Sequence, residues 1–278
     1  MNCQWNRAFI AQNECLAVAQ LQTLFDLAAL PDWPNANGLQ QLKHRLALSS
    51  ESCPDFICQS ELSDSAEYYE QYIFAYQRIP TRPNNWHDLF NALVWLQFPR
   101  TKRLLNQQHM ADINQFGLNP RTLRRNNLTH FDECGVIVTV EMDDEYHALL
   151  ARHIDPLALL SEHQWQQVFI DYRHLWGNQL NSFMFGHANL EMLLQPFIGL
   201  TGKWLALPVP VGFSQRDYAT QVAIVDELLA AEIAQNNIFA TKRLLKPLPL
   251  LGIPGYCAAN QQPAYYANQE YFRPKRRA

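Results

Sequence analysis

Apolar residues recur at helical spacing through much of the chain, and the densest run spans residues 85–95. In Trp86-His87-Asp88-Leu89-Phe90-Asn91-Ala92-Leu93-Val94-Trp95, nearly every position is apolar. Read at about 100° per residue, the exceptions His87, Asp88 and Asn91 fall within one arc of about 100°. A helix that is greasy on its other sides is buried, and buried polar groups need hydrogen bonds or a ligand. The pattern therefore predicts a polar pocket facing that stripe. Asn85 suits the N-cap, with Asp88 reaching back as in a capping box. Pro99 ends this helix and fits the first turn of the next, over residues 100–110.

Helical spacing also covers residues 14–30, where Leu16, Leu21, Leu24, Phe25 and Ala28 precede Pro31. A short helix follows Asn37-Gly38, and another covers residues 67–77 before Pro80 and Pro83. Further helices are predicted over 143–152, 162–176, 180–194 and 217–235. Phe56-Ile57-Cys58 reads as a short strand. Residues 128–140 predict a β-hairpin: Leu128-Thr129-His130-Phe131, a turn ending at a left-handed Gly135, then Val136-Ile137-Val138-Thr139-Val140. Residues 199–215 read as irregular.

No alternating βα pattern is present. The predicted fold is mostly α with a small antiparallel β-hairpin element (α+β), as one compact helical domain over residues 1–278. Within it, 1–80 form an N-terminal helical part and 81–200 a motif-bearing core. Residues 201–246 form an irregular segment plus a helix, and 247–278 a Pro/Tyr-rich tail.

Composition narrows the function class. An apolar fraction of 48% supplies a sizeable core. A net charge of −4 argues against a surface built throughout for nucleic acid. Basic residues nevertheless crowd one stretch (Arg100, Lys102, Arg103, Arg121, Arg124, Arg125) and the end of the chain (Arg273, Lys275, Arg276, Arg277). No signal-peptide pattern is visible, and no run reaches the roughly 18–20 apolar residues of a spanning helix. A cytoplasmic protein with no membrane partner is expected. None of the six cysteines (Cys3, Cys15, Cys53, Cys58, Cys134, Cys257) lies in CxxC, so all are read as free thiols.

Three groups of residues carry candidate chemistry. The first joins His87, Asp88 and Asn91 to Lys102, Asn106 and His109, which share a face of the following helix. Imidazoles with a carboxylate suit zinc, manganese or iron, or a general base with its orienter. The second is Gly186-His187-Ala188-Asn189-Leu190-Glu191, where His187 and Glu191 are four apart on one helical face. Gly186 there suggests close approach by another element. The third is the predicted hairpin with Arg124, Arg125, Asn126, Asn127, His130, Asp132 and Glu133, similar in outline to His–metal nucleases. Each has a structural alternative: a cap, a salt link, or a turn shaped by Asp132 and Glu133 beside a solvated basic face. Gly199-Leu200-Thr201-Gly202-Lys203 is too short for a phosphate loop, and GxGxxG, GxSxG and HExxH are absent.

Several segments, taken in order, resemble the bacterial family catalogued as domain of unknown function 3025. They are residues 81–95, Phe98-Pro99-Arg100-Thr101-Lys102, Leu105-Asn106 with His109, residues 128–133, Phe185-Gly186-His187-Ala188, and Leu251-Gly252-Ile253-Pro254-Gly255. The resemblance implies a cytoplasmic bacterial protein and carries no catalytic role to transfer.

The leading expectation from the residues is a metal-dependent hydrolase acting on a phosphoester. A divalent metal ion would be held by His87, His109, His187 and Glu191. Asp88, Asn91 and Asp132 would serve catalysis, and Arg100, Lys102, Arg124 and Arg125 would bind an anion. The alternatives are a non-enzymatic binding protein for a small anionic ligand or RNA, and a structural partner in a complex.

Overall fold

The β-branched run Val136-Ile137-Val138-Thr139-Val140 is buried on both faces because it lies at the centre of a sheet. In the structure, a computed structural model, residues 5–62 and 68–275 are described. The larger sheet has the order β4 (Leu180–Met184), β3 (Gly135–Glu141), β5 (Thr201–Val209), β6 (Lys246–Pro249). Strand β3 pairs antiparallel with β4 (Val138 opposite Ser182) and parallel with β5 (Val138 opposite Ala206). Strand β6 pairs with residues 201–204 of β5, so among the described residues Pro208 sits in a stretch with no strand neighbour on that side. A separate parallel pair joins β1 (Asp55–Cys58) to β2 (Arg78–Thr81).

These sheets correct the expected hairpin. Residues 128–134 are the last turns of a helix, α7 (Leu123–Cys134), capped by the Thr122 hydroxyl. Gly135 is extended (φ −66°). Glycine is needed there for space, since a Cβ would lie 2.3 Å from the Phe131 carbonyl oxygen. The α+β class stands with a mixed four-stranded sheet and a parallel pair in place of an antiparallel hairpin. Residues 199–215, expected to be irregular, contain β5. Residues 180–194 are not one helix but β4 followed by α10 (His187–Leu193). Residues 162–176 form a π turn (Gln167–Asp171) and a 3-10 turn (Arg173–Leu175).

The remaining helices follow the periodicity except α1 and α9, two short helices that the spacing did not predict. In chain order they are α1 (Arg7–Ala11), α2 (Leu16–Phe25), α3 (Ala36–Arg45), α4 (Tyr69–Tyr76), α5 (Trp86–Gln97), α6 (Pro99–Phe116), α8 (Asp144–Ala151), α9 (Pro156–Ser161) and α11 (Tyr218–Asn236). Every residue of α5 except His87 is buried. Asn85 caps it, its Oδ1 accepting from Asp88 N at 2.9 Å. The other half of the expected capping box does not form, because the Asp88 carboxylate accepts three bonds from Arg82 instead. Pro99 opens α6, and the buried Asp226 of α11 accepts from the amides of Arg100 (3.0 Å) and Thr101 (2.9 Å).

The tail is packed down. Tyr256, Tyr266, Tyr271 and Phe272 join the core, and Tyr271 Oη donates to Leu200 O at 2.6 Å. Cys15, Cys53, Cys58, Cys134 and Cys257 are free thiols. Cys3, Glu67, Arg276 and Arg277 lie outside the described residues. Among the described residues, no helix is long and apolar enough to cross a membrane.

Candidate functional site

The polar stripe of α5 faces the C-terminal turn of α7 and the first turn of α10, and glycine makes that meeting possible. A Cβ on Gly186 would lie 2.5 Å from Cys134 C, Cys134 Cα and Gly135 N. Without one, the amides of Phe185 and Gly186 both reach the Gly135 carbonyl, at 3.0 and 2.9 Å. Asn189 Nδ2 donates to Cys134 O at 3.2 Å. Helix α10 therefore starts directly against the α7–β3 junction, and His187 is set beside Asp132 and Glu133.

The two imidazoles meet edge to face, with His87 Nε2 and His187 Nε2 3.0 Å apart. Glu133 Oε2 lies 3.6 Å from His187 Nε2. One ligand atom from each of His87, Glu133 and His187 can be chosen so that all lie within 4.8 Å of one another. The far side of each ring faces an acid. His87 Nδ1 is 3.4 Å from Glu191 Oε2, and His187 Nδ1 is 3.9 Å from Asp132 Oδ2. Asp132 in turn accepts from Lys102 Nζ at 2.5 Å. Lys102 also donates to Asn91 Oδ1 (3.0 Å), and Asn91 Nδ2 donates to Tyr69 Oη (2.9 Å).

The electrostatics follow this wiring. Burial pushes the His187 imidazole down to about 4, although Asp132 opposes it. Burial would raise the Asp132 carboxyl, yet Lys102 and His187 hold it below the ordinary carboxylate range. Glu133 is pushed up, first by burial and then by Asp132. Glu70, held by Asn106 Nδ2 at 2.5 Å, is pushed up for the same two reasons. These groups open on a cleft of about 530 Å³ lined by His87, Asp88, Asn91, Asp132, Glu133 and His187, with Tyr68, Tyr69, Tyr72, Arg82, His109 and Arg121 completing its polar and aromatic wall.

The expected site residues divide into two sets. His87, His187, Glu191, Asp132, Asn91 and Lys102 are gathered in one contiguous network. Asp88 lines the same cleft but is tied to Arg82. His109 lines the cleft too, with its Nδ1 buried and without a hydrogen-bond partner among the described residues, and burial lowers its pKa to about 4. It stands outside the His87–Glu133–His187 group. Arg100 pairs with Glu227 at 3.2 Å, away from the cleft. Arg124 is bound to Asp112 and Asn237. Arg125 is buried, donating to Leu118 O at 2.6 Å. Asn127 holds the carbonyls of Phe239 and Thr241, and His130 is exposed.

Sequence reasoning placed Glu133 in a turn and passed over Tyr69, Arg82 and Arg121. A signal for Glu133 was available. Thr129, Asp132 and Glu133 have i, i+3, i+4 spacing and share one helical arc beside that of Leu128 and Phe131, with Thr122 as an N-cap. Tyr69 and Arg82 come from separated segments and had no local signal, and Arg121 stood in the basic stretch with nothing to set it apart from its neighbours.

Residues 54–276 match the profile of the family described as "Protein of unknown function (DUF3025)", and every cleft residue lies within that span. No curated protein and no solved structure matches the chain.

Proposed function

The chain belongs to the DUF3025 family, and we propose that it is a metal-dependent hydrolase whose ion is held by His87, His187 and Glu133. The observation that carries this reading is the convergence of two Nε2 atoms and one carboxylate on a single point of the cleft wall. Two nitrogens each about 2.1 Å from a tetrahedral ion stand about 3.4 Å apart. The 3.0 Å spacing of the two Nε2 atoms is close to that. Glu191 Oε2 lies 3.4 Å from His87 Nδ1 and Asp132 Oδ2 lies 3.9 Å from His187 Nδ1, so a carboxylate stands behind each ring without hydrogen-bonding it, and a small closing movement would hold each Nδ1–H and leave the Nε2 lone pair free to ligate. In this reading Glu191 orients His87 and is not itself a ligand.

Two imidazoles and one carboxylate leave a fourth position open toward the cleft. An ion there lowers the pKa of a coordinated water to about 7. The substrate class that fits is a phosphoester. Arg121 lines the cleft and donates to neutral partners only, Tyr68 Oη (3.1 Å) and Thr129 Oγ1 (3.4 Å), among the described residues. In the hydrolysis, the water oxygen bonds to phosphorus and the ester P–O bond breaks. Its electron pair leaves with the alcohol oxygen, which takes up the proton the water releases.

The test is zinc and manganese titration of the purified protein by calorimetry, with hydrolysis of an aryl phosphate followed in parallel. One equivalent of ion is expected, abolished in His87→Ala and His187→Ala and weakened in Glu133→Gln, with turnover lost alongside. Wild-type protein that takes up neither ion refutes the metal centre. Metal-independent turnover would instead assign the 3.0 Å nitrogen pair to a proton shared between the rings. Stoichiometric metal with no turnover would leave a binding protein for a small anion.

A further inference from the structure

The geometry points to the Tyr69 hydroxyl as a hydrogen-bond donor to an anionic oxygen of the ligand in the cleft; this rests on the metal-centre reading above. The direction of that hydroxyl is set by a chain of polarity that begins at a buried lysine. Lys102 is 4% exposed, and its ammonium has donors only. Its contact with Asn91 at 3.0 Å therefore fixes the amide oxygen on the lysine side. Turning the amide over would set its NH₂ against a buried ammonium and leave a donor unsatisfied. The amide NH₂ must then face Tyr69, at 2.9 Å, and the phenol oxygen is the acceptor of that bond.

A phenol oxygen that accepts still carries its own hydrogen. Among the described residues that hydrogen has no acceptor, and Tyr69 lines the cleft. Desolvation and then the Glu70 carboxylate raise the phenol pKa, so the proton is retained at neutral pH. Arg121 hydrogen-bonds the hydroxyl of Tyr68, next in the chain. The same wall thus presents a hydroxyl hydrogen and a guanidinium, which suits an oxyanion such as a phosphoryl group. The arrangement also gives a use to the Lys102–Asp132 pair. Burying two charges seldom adds stability by itself, and here it sets the direction of one donor.

The experiment measures inorganic phosphate binding to the zinc-loaded protein. In Tyr69→Phe the affinity should fall about tenfold, as for one lost hydrogen bond to a charged group, with zinc affinity unchanged. Asn91→Asp keeps an acceptor for Lys102 but gives Tyr69 a carboxylate to donate to, and so withdraws the donor from the cleft. In that background, Tyr69→Phe should cost no further affinity. Three results overturn the inference while leaving the metal centre intact: zinc-loaded wild type that binds no phosphate, Tyr69→Phe that binds it as tightly as wild type, or a tenfold loss that recurs in full in the Asn91→Asp background. Wild type that takes up no zinc overturns the metal-centre reading and this inference with it.

Discussion

Gly186→Ala is the substitution that most directly tests how the backbone builds the site. The added methyl would meet Cys134 C, Cys134 Cα and Gly135 N, each at 2.5 Å. All three are main-chain atoms, so no side chain can swing away. Ordinary contact begins at 3.4 Å, so α10 must retreat from the α7–β3 junction by about 0.9 Å. That retreat stretches two bonds to the Gly135 carbonyl, from Phe185 N (3.0 Å) and Gly186 N (2.9 Å), each contributing about 1 kcal/mol. Overpacking adds roughly 1–3 kcal/mol, and alanine is a poorer N-cap than glycine. A loss of about 2–4 kcal/mol follows, measurable as a lower urea midpoint with an unchanged m-value. His187 heads α10 and moves with it, away from His87 and Glu133, so zinc affinity should fall about 10- to 100-fold, the range for displaced metal-site support. Serine at the same position should behave alike, because its Cβ is the same. A variant within about 0.5 kcal/mol of wild type that binds zinc normally would refute the close-approach argument.

Two further outcomes are expected. Asp226→Ala removes the acceptor for the amides of Arg100 and Thr101 at the start of α6, and should lower stability by about 1–3 kcal/mol in urea unfolding without altering zinc uptake. His109 has a folded pKa of about 4 against 6.5 when free, so the unfolded chain takes up the proton first. Its contribution is intact above about pH 6.5 and is lost as pH falls toward 4, by roughly 3 kcal/mol in all. His109→Gln, assayed with chelator present, should flatten that part of the acid limb of a urea-midpoint profile and leave the part due to His187.

What the sequence disclosed was local. Helix α5 was legible because its apolar positions, its Asn85 cap and the following Pro99 all act within one segment. Its polar stripe implied a pocket because polar groups cannot be left alone in such surroundings, and the network reaching Lys102 and His187 is that pocket. Gly186 signalled close approach correctly, although it caps a helix and does not sit inside one. The sheet was illegible for the opposite reason. Strand β3 finds its partners in β4 and β5, dozens of residues downstream, and a parallel pairing leaves no turn to recognise. Phe131 and the β-branched run after Gly135 then made the end of α7 look like a strand. The basic residues misled because their partners are tertiary: Asp112 takes Arg124, Glu227 takes Arg100, and Asp132 takes Lys102.

The charges around the two imidazoles argue for a cation more strongly than for a bare anion site. Asp88 is matched by Arg82, and Asp132 by Lys102. Beside the rings Glu133 and Glu191 are left, each within 3.6 Å of an imidazole nitrogen, and elsewhere on the cleft Glu70 is held by the neutral Asn106 amide. His187 cannot balance them, since burial keeps it neutral above about pH 4. Glu133 bears the mark of this, its carboxyl pushed up by burial and by Asp132. A divalent ion at the Nε2 atoms would offset the two carboxylates beside the rings, one by ligation and one through the His87 ring. It would also turn a cleft rich in acids into one that an anionic ester can enter. Without that ion, the Tyr69 hydroxyl and Arg121 would face a ligand that the glutamates repel. On the proposed metal centre, anion binding would depend on the ion, and phosphate affinity should appear only after zinc is added.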